Sequence, residues 1–270
     1  MSKTNHRVNP LSKERVEIMD MKLSRYELRG AVAGMILGDA FLYKPKVAPN
    51  VTVHFTHSPR QAAYGYWKLS LLAQLTGKEG RVYEHQTKLS NGKSYAQVDF
   101  QSTSHPLLRR LRKVAYPAGK KTVTAKLLSY LTPKGLAVWY MDDGSVNIDK
   151  RQGKLKGRQI FLHTCCTLAE AKLIIDYFKC TWDIDWKVVR SRKDVEYFTL
   201  RANVENAIKF FKIIAPFVHP QMRYKIDLQY HNNVGRTYRR VQERIAGLKA
   251  SGLFFGSEDM IPTPTFSSLA

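Results

Sequence analysis

The chain lacks the signatures of disulfide-linked, zinc-binding and membrane-spanning proteins. Its three cysteines, Cys165, Cys166 and Cys180, form no CxxC pattern, and no HExxH segment is present, so we expect reduced thiols that act as small apolar side chains. No apolar run approaches the roughly 18 residues of a membrane span, and the amino terminus, MSKTNHRVNPLSKER, has no signal-peptide core. We therefore expect an intracellular protein without a membrane partner, in either the cytoplasm or an organelle matrix.

Acidic residues are also scarce. The 270 residues include 22 Asp and Glu against 44 Lys and Arg, which gives a formal net charge of +22. Such an excess of positive charge favours a polyanionic partner, and nucleic acid is the commonest one. The hydrophobic fraction of 44% includes 12 Phe, 14 Tyr and 4 Trp, enough to build a core, so we exclude global disorder.

Two short segments carry the strongest chemical signal. GAVAGMILGDA ends near Asp39 and LTPKGLAVWYMDDG ends near Asp143, so each is predicted to deliver a carboxylate at the carboxyl end of a helix rich in small residues. The two aspartates are 104 residues apart, and the same interval separates Lys121 from Lys225. An acid and a base that recur at one period indicate a duplicated unit with a twofold site, although each lysine taken alone could equally be a solvated surface charge.

The helix boundaries can be predicted from local signals. Ser24 and Glu27 form an S-x-x-E capping box for the first motif helix. Thr132 is the predicted N-cap of the second, with Pro133 at its first position and Gly144 at its end. The first helix contains several glycines, each costing about 1 kcal/mol of helix propensity. Close approach of another backbone would explain that cost.

Each motif helix is followed by a similar series of elements. Both halves read α-β-α-β-β-α, with one further strand expected around residues 40–48 and again around 145–150. We therefore divide the chain into a flexible basic arm (residues 1–22), an N-terminal half (23–120), a C-terminal half (121–230), and a basic helix with a loose tail (231–270).

Carboxylates at two adjoining helix ends predict a metal site. Each would lie at the negative end of a helix dipole, and two such anions close together are unfavourable unless a hard divalent cation lies between them. Oxygen ligands without His or Cys favour Mg²⁺, or Mn²⁺ in its place, over zinc. With a phosphodiester substrate, such ions support in-line hydrolysis. Lys121 and Lys225 could polarise the attacking water or neutralise charge on the phosphate.

The segments VAGMILGDA and LAVWYMDDG resemble the two motifs of single-chain LAGLIDADG homing endonucleases, and WYMDDG is similar to the intron-encoded branch. The similarity extends through KKTVTAKLLSYLTPKGLAVWYMDDGS and PFVHPQMRYK. Ala40 replaces the final motif glycine of the first half. The resemblance implies that Asp39 and Asp143 bridge the metal, and that Lys121 and Lys225 flank twin active sites. Asp143 is preferred to Asp142 because it occupies the penultimate motif position.

The resemblance also implies a fold and an activity. The fold is α+β, with two pseudo-symmetric αββαββα halves, motif helices at their interface, and antiparallel sheets that form a DNA-binding saddle. The implied enzyme is a monomer that cuts both strands of a long double-stranded DNA site and leaves short 3′ overhangs. The candidate DNA-binding residues lie on or beside the predicted strands: Lys44, Lys46, His54, Arg81, Tyr83, His85, Lys88, Lys93, Gln97, Lys150, Arg158, Lys187, Arg190 and Arg192.

Two alternatives remain. Some relatives act as RNA maturases that assist intron splicing, so the partner could be intron RNA. A non-enzymatic DNA-binding regulator could also use a degenerate version of the fold, but it would be expected to have lost one of the acids. Alternation along the strands would direct about half of the candidate side chains to a groove, with Arg and Gln suited to bases and Lys44, Lys46 and Lys93 to phosphates.

Overall fold

The computed structural model describes residues 22–46, 50–88, 92, 94–151, 154–192 and 195–228. Almost all of the predicted amino-terminal arm and the predicted basic helix after residue 231 lie outside the described residues. Within this part of the chain, no helix is long and apolar enough to cross a bilayer.

The first half follows the predicted order αββαββα. Its bounds are α1 Arg25–Leu37, β1 Phe41–Tyr43, β2 Thr52–His57, α2 Ala62–Thr76, β3 Arg81–Lys88, β4 Ser94–Gln101 and α3 Pro106–Ala115. The predicted capping box starts α1: the Ser24 hydroxyl accepts a hydrogen bond from the Glu27 N–H, and the Glu27 carboxylate accepts one from the Ser24 N–H. A short turn, Pro59–Gln61, precedes α2.

The second half repeats this order after a four-residue helix that was not predicted, α4 Ala125–Leu128. It comprises α5 Pro133–Asp143, β5 Gly144–Arg151, β6 Lys154–Cys166, α6 Leu168–Trp182, β7 Lys187–Arg192, β8 Val195–Asn203 and α7 Val204–Ile214. Thr132 caps α5 by accepting a hydrogen bond from the Gly135 N–H, as predicted. Two 3₁₀ segments, Ala215–Phe217 and Pro220–Ile226, follow α7.

The two sheets share one topology. The strand order is β1-β2-β4-β3 in the first and β5-β6-β8-β7 in the second, and every pairing is antiparallel. Phe41 opposes His54 in the first sheet, and Ser145 opposes Phe161 at the corresponding place in the second. The α+β class and the duplicated αββαββα order are thus confirmed.

The motif helices α1 and α5 pack against each other at the centre of the molecule. A Cβ atom on Gly34 would overlap the carbonyl oxygen of Gly135, and one on Gly135 would overlap the carbonyl oxygen of Gly30. The two backbones are therefore in direct contact, which only glycine permits at these points. This close approach of a second backbone explains the glycines of the first motif helix, as the sequence predicted.

A continuous apolar core joins both halves across this helix pair. It runs from Phe55 and Phe100 beneath the first sheet, through the motif helices, to Phe178 and Phe210 beneath the second. Because the helix ends are fixed by this core, the side chains that follow them are held at one place, between the two sheets.

Candidate active site at the ends of the motif helices

The two motif helices end side by side, and each delivers an acidic residue there. The helix α1 closes with a hydrogen bond from the Gly38 N–H to the Gly34 carbonyl, and Asp39 follows in the turn. The helix α5 ends at Asp143 itself, and the Gly144 N–H bonds to the Tyr140 carbonyl. Asp39 is exposed, whereas Asp143 is partly buried.

Lys121 and Lys225 occupy equivalent places at the two helix ends. The Lys121 Nζ donates to the carbonyl oxygens of Gly38 (2.7 Å) and Ala40 (3.2 Å). The Lys225 Nζ donates to those of Met141 (2.5 Å) and Asp142 (2.9 Å). Each ammonium therefore lies at the negative end of one motif helix dipole, where a cation is favoured. The shared interval in the sequence corresponds to a shared position in space.

Burial and mutual repulsion perturb the carboxyl groups. Desolvation, and next the charges of Asp142 and Asp39, raise the pKa of Asp143 to about 8, while Lys121 and Lys225 oppose the rise. The pKa of Asp39 is also raised, by desolvation and then by Asp142. The Trp139 indole Nε1–H donates to Asp143 Oδ2 at 3.2 Å. Closely spaced acids of this kind gain stability when a cation binds between them.

Desolvation also lowers the pKa values of Lys121 and Lys225, although the three nearby aspartates act in the opposite direction. Both ammonium groups lie in a setting where water is largely replaced by backbone oxygens. Two ammonium groups held at fixed positions in low-dielectric surroundings are suited to orienting a water molecule or a phosphate oxygen.

Asp142, next to the second motif aspartate, has a different environment. Its side chain is fully buried; Oδ1 accepts from Lys68 Nζ at 2.9 Å and from the Tyr64 hydroxyl at 2.9 Å. Its Oδ2 accepts from Lys68 Nζ at 3.1 Å and from the Asp39 N–H at 3.3 Å. Both oxygens are thus engaged by protein donors. The sequence preference for Asp143 over Asp142 as a metal ligand remains a prediction, and these contacts favour it.

His57 completes the surroundings of Asp39. Within the described part of the chain, Asp39, His57 and Asp142 form the one group of at least three acidic, His or Cys side chains whose ligand atoms all lie within 4.8 Å of one another. His57 is 6% exposed, and its Nε2 has no hydrogen-bond partner. Desolvation and the nearby Lys68 lower the pKa of His57 to about 3. The imidazole is therefore neutral at physiological pH.

The register places several DNA-binding candidates of the first half on one sheet face. Val98 and Phe100 point to the core, so their neighbours on β4 and the residues opposite those neighbours face away from it. The candidates with that orientation are His54, Arg81, Tyr83, His85 and Gln97. Exposed Phe41 and Tyr43 extend this face and contact the His54 ring.

The second sheet divides its candidates between two faces. Lys187 opposes Arg201, which opposes Phe161, on the face turned away from the core. Arg158 opposes Ile148, and Arg190 lies two residues after Val188 on the same strand. Both therefore lie on the sheet face that carries the buried residues. Lys44 and Lys46 are exposed just after β1. The side chains of Lys88, Lys150 and Arg192, and all of Lys93, lie outside the described residues.

Sequence reasoning missed Tyr64, Lys68 and His57. A signal for Lys68 was available: it lies on the buried stripe of α2 with Tyr64, Leu71 and Leu72, where a solvated lysine is not expected. Its partner Asp142 is 74 residues away, and no local pattern could have connected the two.

Known proteins resemble this chain over most of its length. It is 28% identical over 226 residues to the RecA protein of Mycobacterium gastri, an alignment that covers 81% of this chain and 51% of the relative. It is 25% identical over 219 residues to the cytochrome b mRNA maturase bI2 of Debaryomyces hansenii, covering 80% of this chain and 75% of the maturase. The chain thus spans about half the length of the RecA relatives it matches.

A solved structure supports the fold. The homing endonuclease I-WcaI bound to its DNA recognition sequence superposes with a TM-score of 0.65 at 20% identity, covering 82% of this chain and 96% of I-WcaI. The model of the LAGLIDADG DNA endonuclease family matches residues 29–210, a range that includes Asp39, Asp143 and Lys121. By this match over more than half of its residues, the chain belongs to the LAGLIDADG DNA endonuclease family.

Proposed function

We propose that this protein is a site-specific endonuclease that hydrolyses both strands of a long double-stranded DNA target and leaves short 3′ overhangs. The observation that carries the proposal is the paired arrangement at the helix ends, where an aspartate and a lysine recur at equivalent positions in both halves. We further propose that it acts as a monomer, since one chain supplies both halves of the site, and that residues 23–120 and 121–230 are its two domains.

The donor set fits a hard divalent metal ion, which we propose to be Mg²⁺ with Mn²⁺ as a substitute. Asp39 and Asp143 would hold it, because their oxygens are not paired with a buried lysine as those of Asp142 are. Like-charged carboxyl groups with raised pKa values are expected where a cation belongs. When bound, such an ion lowers the pKa of water and stabilises charge on the leaving oxygen.

The residues of this chain would supply the remaining functions. Lys121 and Lys225, each anchored on backbone carbonyls, would place one ammonium beside each of two scissile phosphates. The outward face of the first sheet, with Arg81, Gln97 and the exposed aromatic rings, would read base edges in the major groove. The net charge of +22 would supply attraction to the phosphate backbone.

The first test is cleavage of a large randomised duplex library by the purified chain, with sequencing of the new ends. Mg²⁺ should produce one long recurrent sequence with short 3′ overhangs, whereas Ca²⁺ should not, because Ca²⁺ tolerates binding geometries that do not support the reaction. Folded protein that leaves a well-covered library uncut in Mg²⁺ would contradict the proposal.

Substitution of the motif acids tests the site itself. Asp39→Asn and Asp143→Asn should each abolish cleavage while DNA binding survives, because they remove a metal-binding charge with little change of shape. Asp185→Asn is the matched control: Asp185 is an exposed surface carboxylate that pairs with Lys179. Cleavage at the normal rate by either motif variant would show that the site is wrongly assigned.

The maturase is the second candidate function, and the similarity to the Debaryomyces hansenii maturase favours it. In that case, the protein would bind its intron RNA more tightly than duplex DNA at a fixed salt concentration, with no cleavage of the library. A DNA-binding regulator would bind one duplex sequence without cutting it. Both motif acids are present in this chain, so we place the nuclease first.

A further inference from the structure

The cluster at the helix ends contains a lysine whose role the proposed reaction does not require. Three aspartates, Asp39, Asp142 and Asp143, face three lysines there. Lys121 and Lys225 bond to backbone carbonyls. Lys68, by contrast, arrives from the middle of α2 and bonds to a side-chain carboxylate.

The Lys68–Asp142 pair is entirely enclosed. Both side chains have 0% exposure, and the Lys68 Nζ also lies 4.4 Å from the centre of the Phe55 ring and 4.8 Å from that of Tyr64. A buried ion pair of this kind rarely adds stability over an apolar pair of the same size, because desolvation of the two charges offsets their attraction. Its presence beside Asp39 therefore points to a role in the site.

The pair also has no equivalent among the described residues of the other half. Asp142 corresponds to Gly38 in the first motif, and a side chain on Gly38 would collide with Asp142. The helix α6 corresponds to α2, and its buried residues are Ala171, Ile174 and Phe178, all apolar. The end of α5 thus carries a third carboxylate, Asp142, together with the lysine that balances its charge, Lys68.

We propose that Lys68 is a positioning residue whose ammonium acts as a built-in cation on Asp142, which withholds this carboxylate from the divalent metal and reserves the metal for Asp39 and Asp143. The proposal rests on the proposed metal-dependent function. Through the bond from the Asp39 N–H, the neutralised Asp142 also fixes the turn that carries Asp39.

Electrostatics make the proposal specific. Asp142 and Lys68 act on Asp39 in opposite directions, the first disfavouring and the second favouring its ionised form. Without Lys68, the carboxylate of Asp142 would have no counter-charge. It would form, with Asp39 and the unpartnered His57 nitrogen, a group of ligand atoms within 4.8 Å of one another, a set suited to Mn²⁺ and similar ions. Without Asp142, the unpaired ammonium would repel a cation from Asp39.

The test is a double-mutant cycle on Mn²⁺ affinity, measured on the full chain without DNA by the electron paramagnetic resonance signal of free Mn²⁺. We expect Lys68→Met to tighten binding about tenfold or to add a second Mn²⁺. Asp142→Asn should weaken binding about tenfold, and Lys68→Met/Asp142→Asn should return within about threefold of the wild type. Thermal unfolding of each variant verifies that it is folded.

The double variant decides the question. If Asp142 were itself a metal ligand, the double variant would stay well below the wild type in Mn²⁺ affinity, because removal of the ammonium does not restore a lost ligand. If the pair were only part of the core, none of the variants would change Mn²⁺ affinity. Either result overturns the proposal. Should Lys68→Met fail to fold with its unpaired buried carboxylate, the wild type, Asp142→Asn and the double variant together give the same decision.

This measurement involves no DNA cleavage, so its failure is distinguishable from failure of the proposed function. A chain that cuts DNA but shows no opposite shifts would keep its endonuclease assignment and lose the role of Lys68. A chain that shows the shifts but cuts no DNA would keep the role of Lys68 in metal binding and lose the reaction.

Discussion

The two motif helix ends are alike in their backbone contacts and unlike in their side-chain contacts. At both ends, a lysine donates to backbone carbonyl oxygens at the end of the motif helix or just beyond it. Lys121, which follows α3, does so at the first end, and Lys225, which follows α7, does so at the second. Yet only the second motif places an additional acid, Asp142, beside its aspartate. The contacts to the backbone are alike at both ends although the neighbouring side chains differ. The symmetry of this duplicated fold therefore lies in its backbone more than in its side-chain chemistry.

The two sheets are likewise similar in backbone arrangement and different in side chains. His57 opposes Val98 in a continuous pairing of the first sheet, whereas in the second sheet the pairing of β6 with β8 shifts register after Leu162 and resumes at Cys166, which opposes Phe198. Both side chains are buried, but only the first can offer an imidazole to the site. The strand order repeats, whereas the local register and the side chains at this place differ. The two halves of the site are therefore expected to respond differently to equivalent changes.

Among changes that distinguish the two helix ends, the removal of one lysine at a time should have the largest effect. Lys121→Met and Lys225→Met should each lower double-strand cleavage by about 10²–10³-fold, the cost of losing one donor that stabilises developing charge. Because each ammonium lies at one helix end, each variant should retain the other half-site and release nicked DNA. We expect the nicks on opposite strands, as read by strand-specific labels on a plasmid that carries the selected target.

Lys209→Met is the control for these variants, since Lys209 pairs with Asp183 on the surface. It should cut both strands at the normal rate. Nicks on the same strand from both active-site variants would contradict a one-lysine, one-phosphate arrangement.

The sequence predicted the parts of the site that have a period or a local signal. The interval of 104 residues pointed to Asp39, Asp143, Lys121 and Lys225, and capping signals at Ser24 and Thr132 located the motif helices. The contact between Lys68 and Asp142 could not be predicted, because it depends on how α2 of one half packs beside α5 of the other. The part of the site that the sequence did not predict is therefore the asymmetric contact, which has no repeat in the sequence.

The next effect should appear in the pH dependence of metal binding. Asp143 should contribute more to this pH dependence than Asp39. With its pKa raised to about 8 by burial and by its acidic neighbours, Asp143 is mostly protonated at pH 7. Metal binding must displace that proton, so about 0.9 proton should be released at pH 7, and affinity should fall about tenfold per pH unit below 8. Calorimetry in two buffers of different ionisation enthalpy measures the release.

The metal-free protein should show the opposite trend in stability. The folded state holds the Asp143 proton up to about pH 8, whereas the unfolded chain releases it near pH 4. The folded state binds more protons between these values, so the free energy of unfolding should decrease as pH rises through this window. Asp143→Asn should remove most of this slope. An unchanged slope would show that Asp143 is ionised in the folded protein.

The smallest effect separates two capping boxes that share one pattern, Ser or Thr at the N-cap and Glu three residues later. Glu27 closes the box at Ser24 on α1, and Glu170 closes the box at Thr167 on α6. Glu170 makes one contact more, because its Oε1 accepts a hydrogen bond from the Val123 N–H at 2.8 Å, two residues after Lys121. Glu27→Ala should therefore cost about 1 kcal/mol of unfolding free energy, and Glu170→Ala about 2 kcal/mol, by urea unfolding.

The difference should extend to activity, because Glu170 restrains the segment that carries a lysine of the proposed site, whereas Glu27 does not. Glu170→Ala should slow the nick that depends on Lys121 by a few fold and leave the nick that depends on Lys225 unchanged, while Glu27→Ala should affect neither. A uniform slowing of both nicks by Glu170→Ala would mean that the loss is one of general stability. A selective slowing would show that Glu170, through its hydrogen bond to the Val123 N–H, positions the Lys121 ammonium at the end of the first motif helix. A residue on α6 of the second half would then support the half-site at the end of α1, so the two half-sites are linked despite their different side chains.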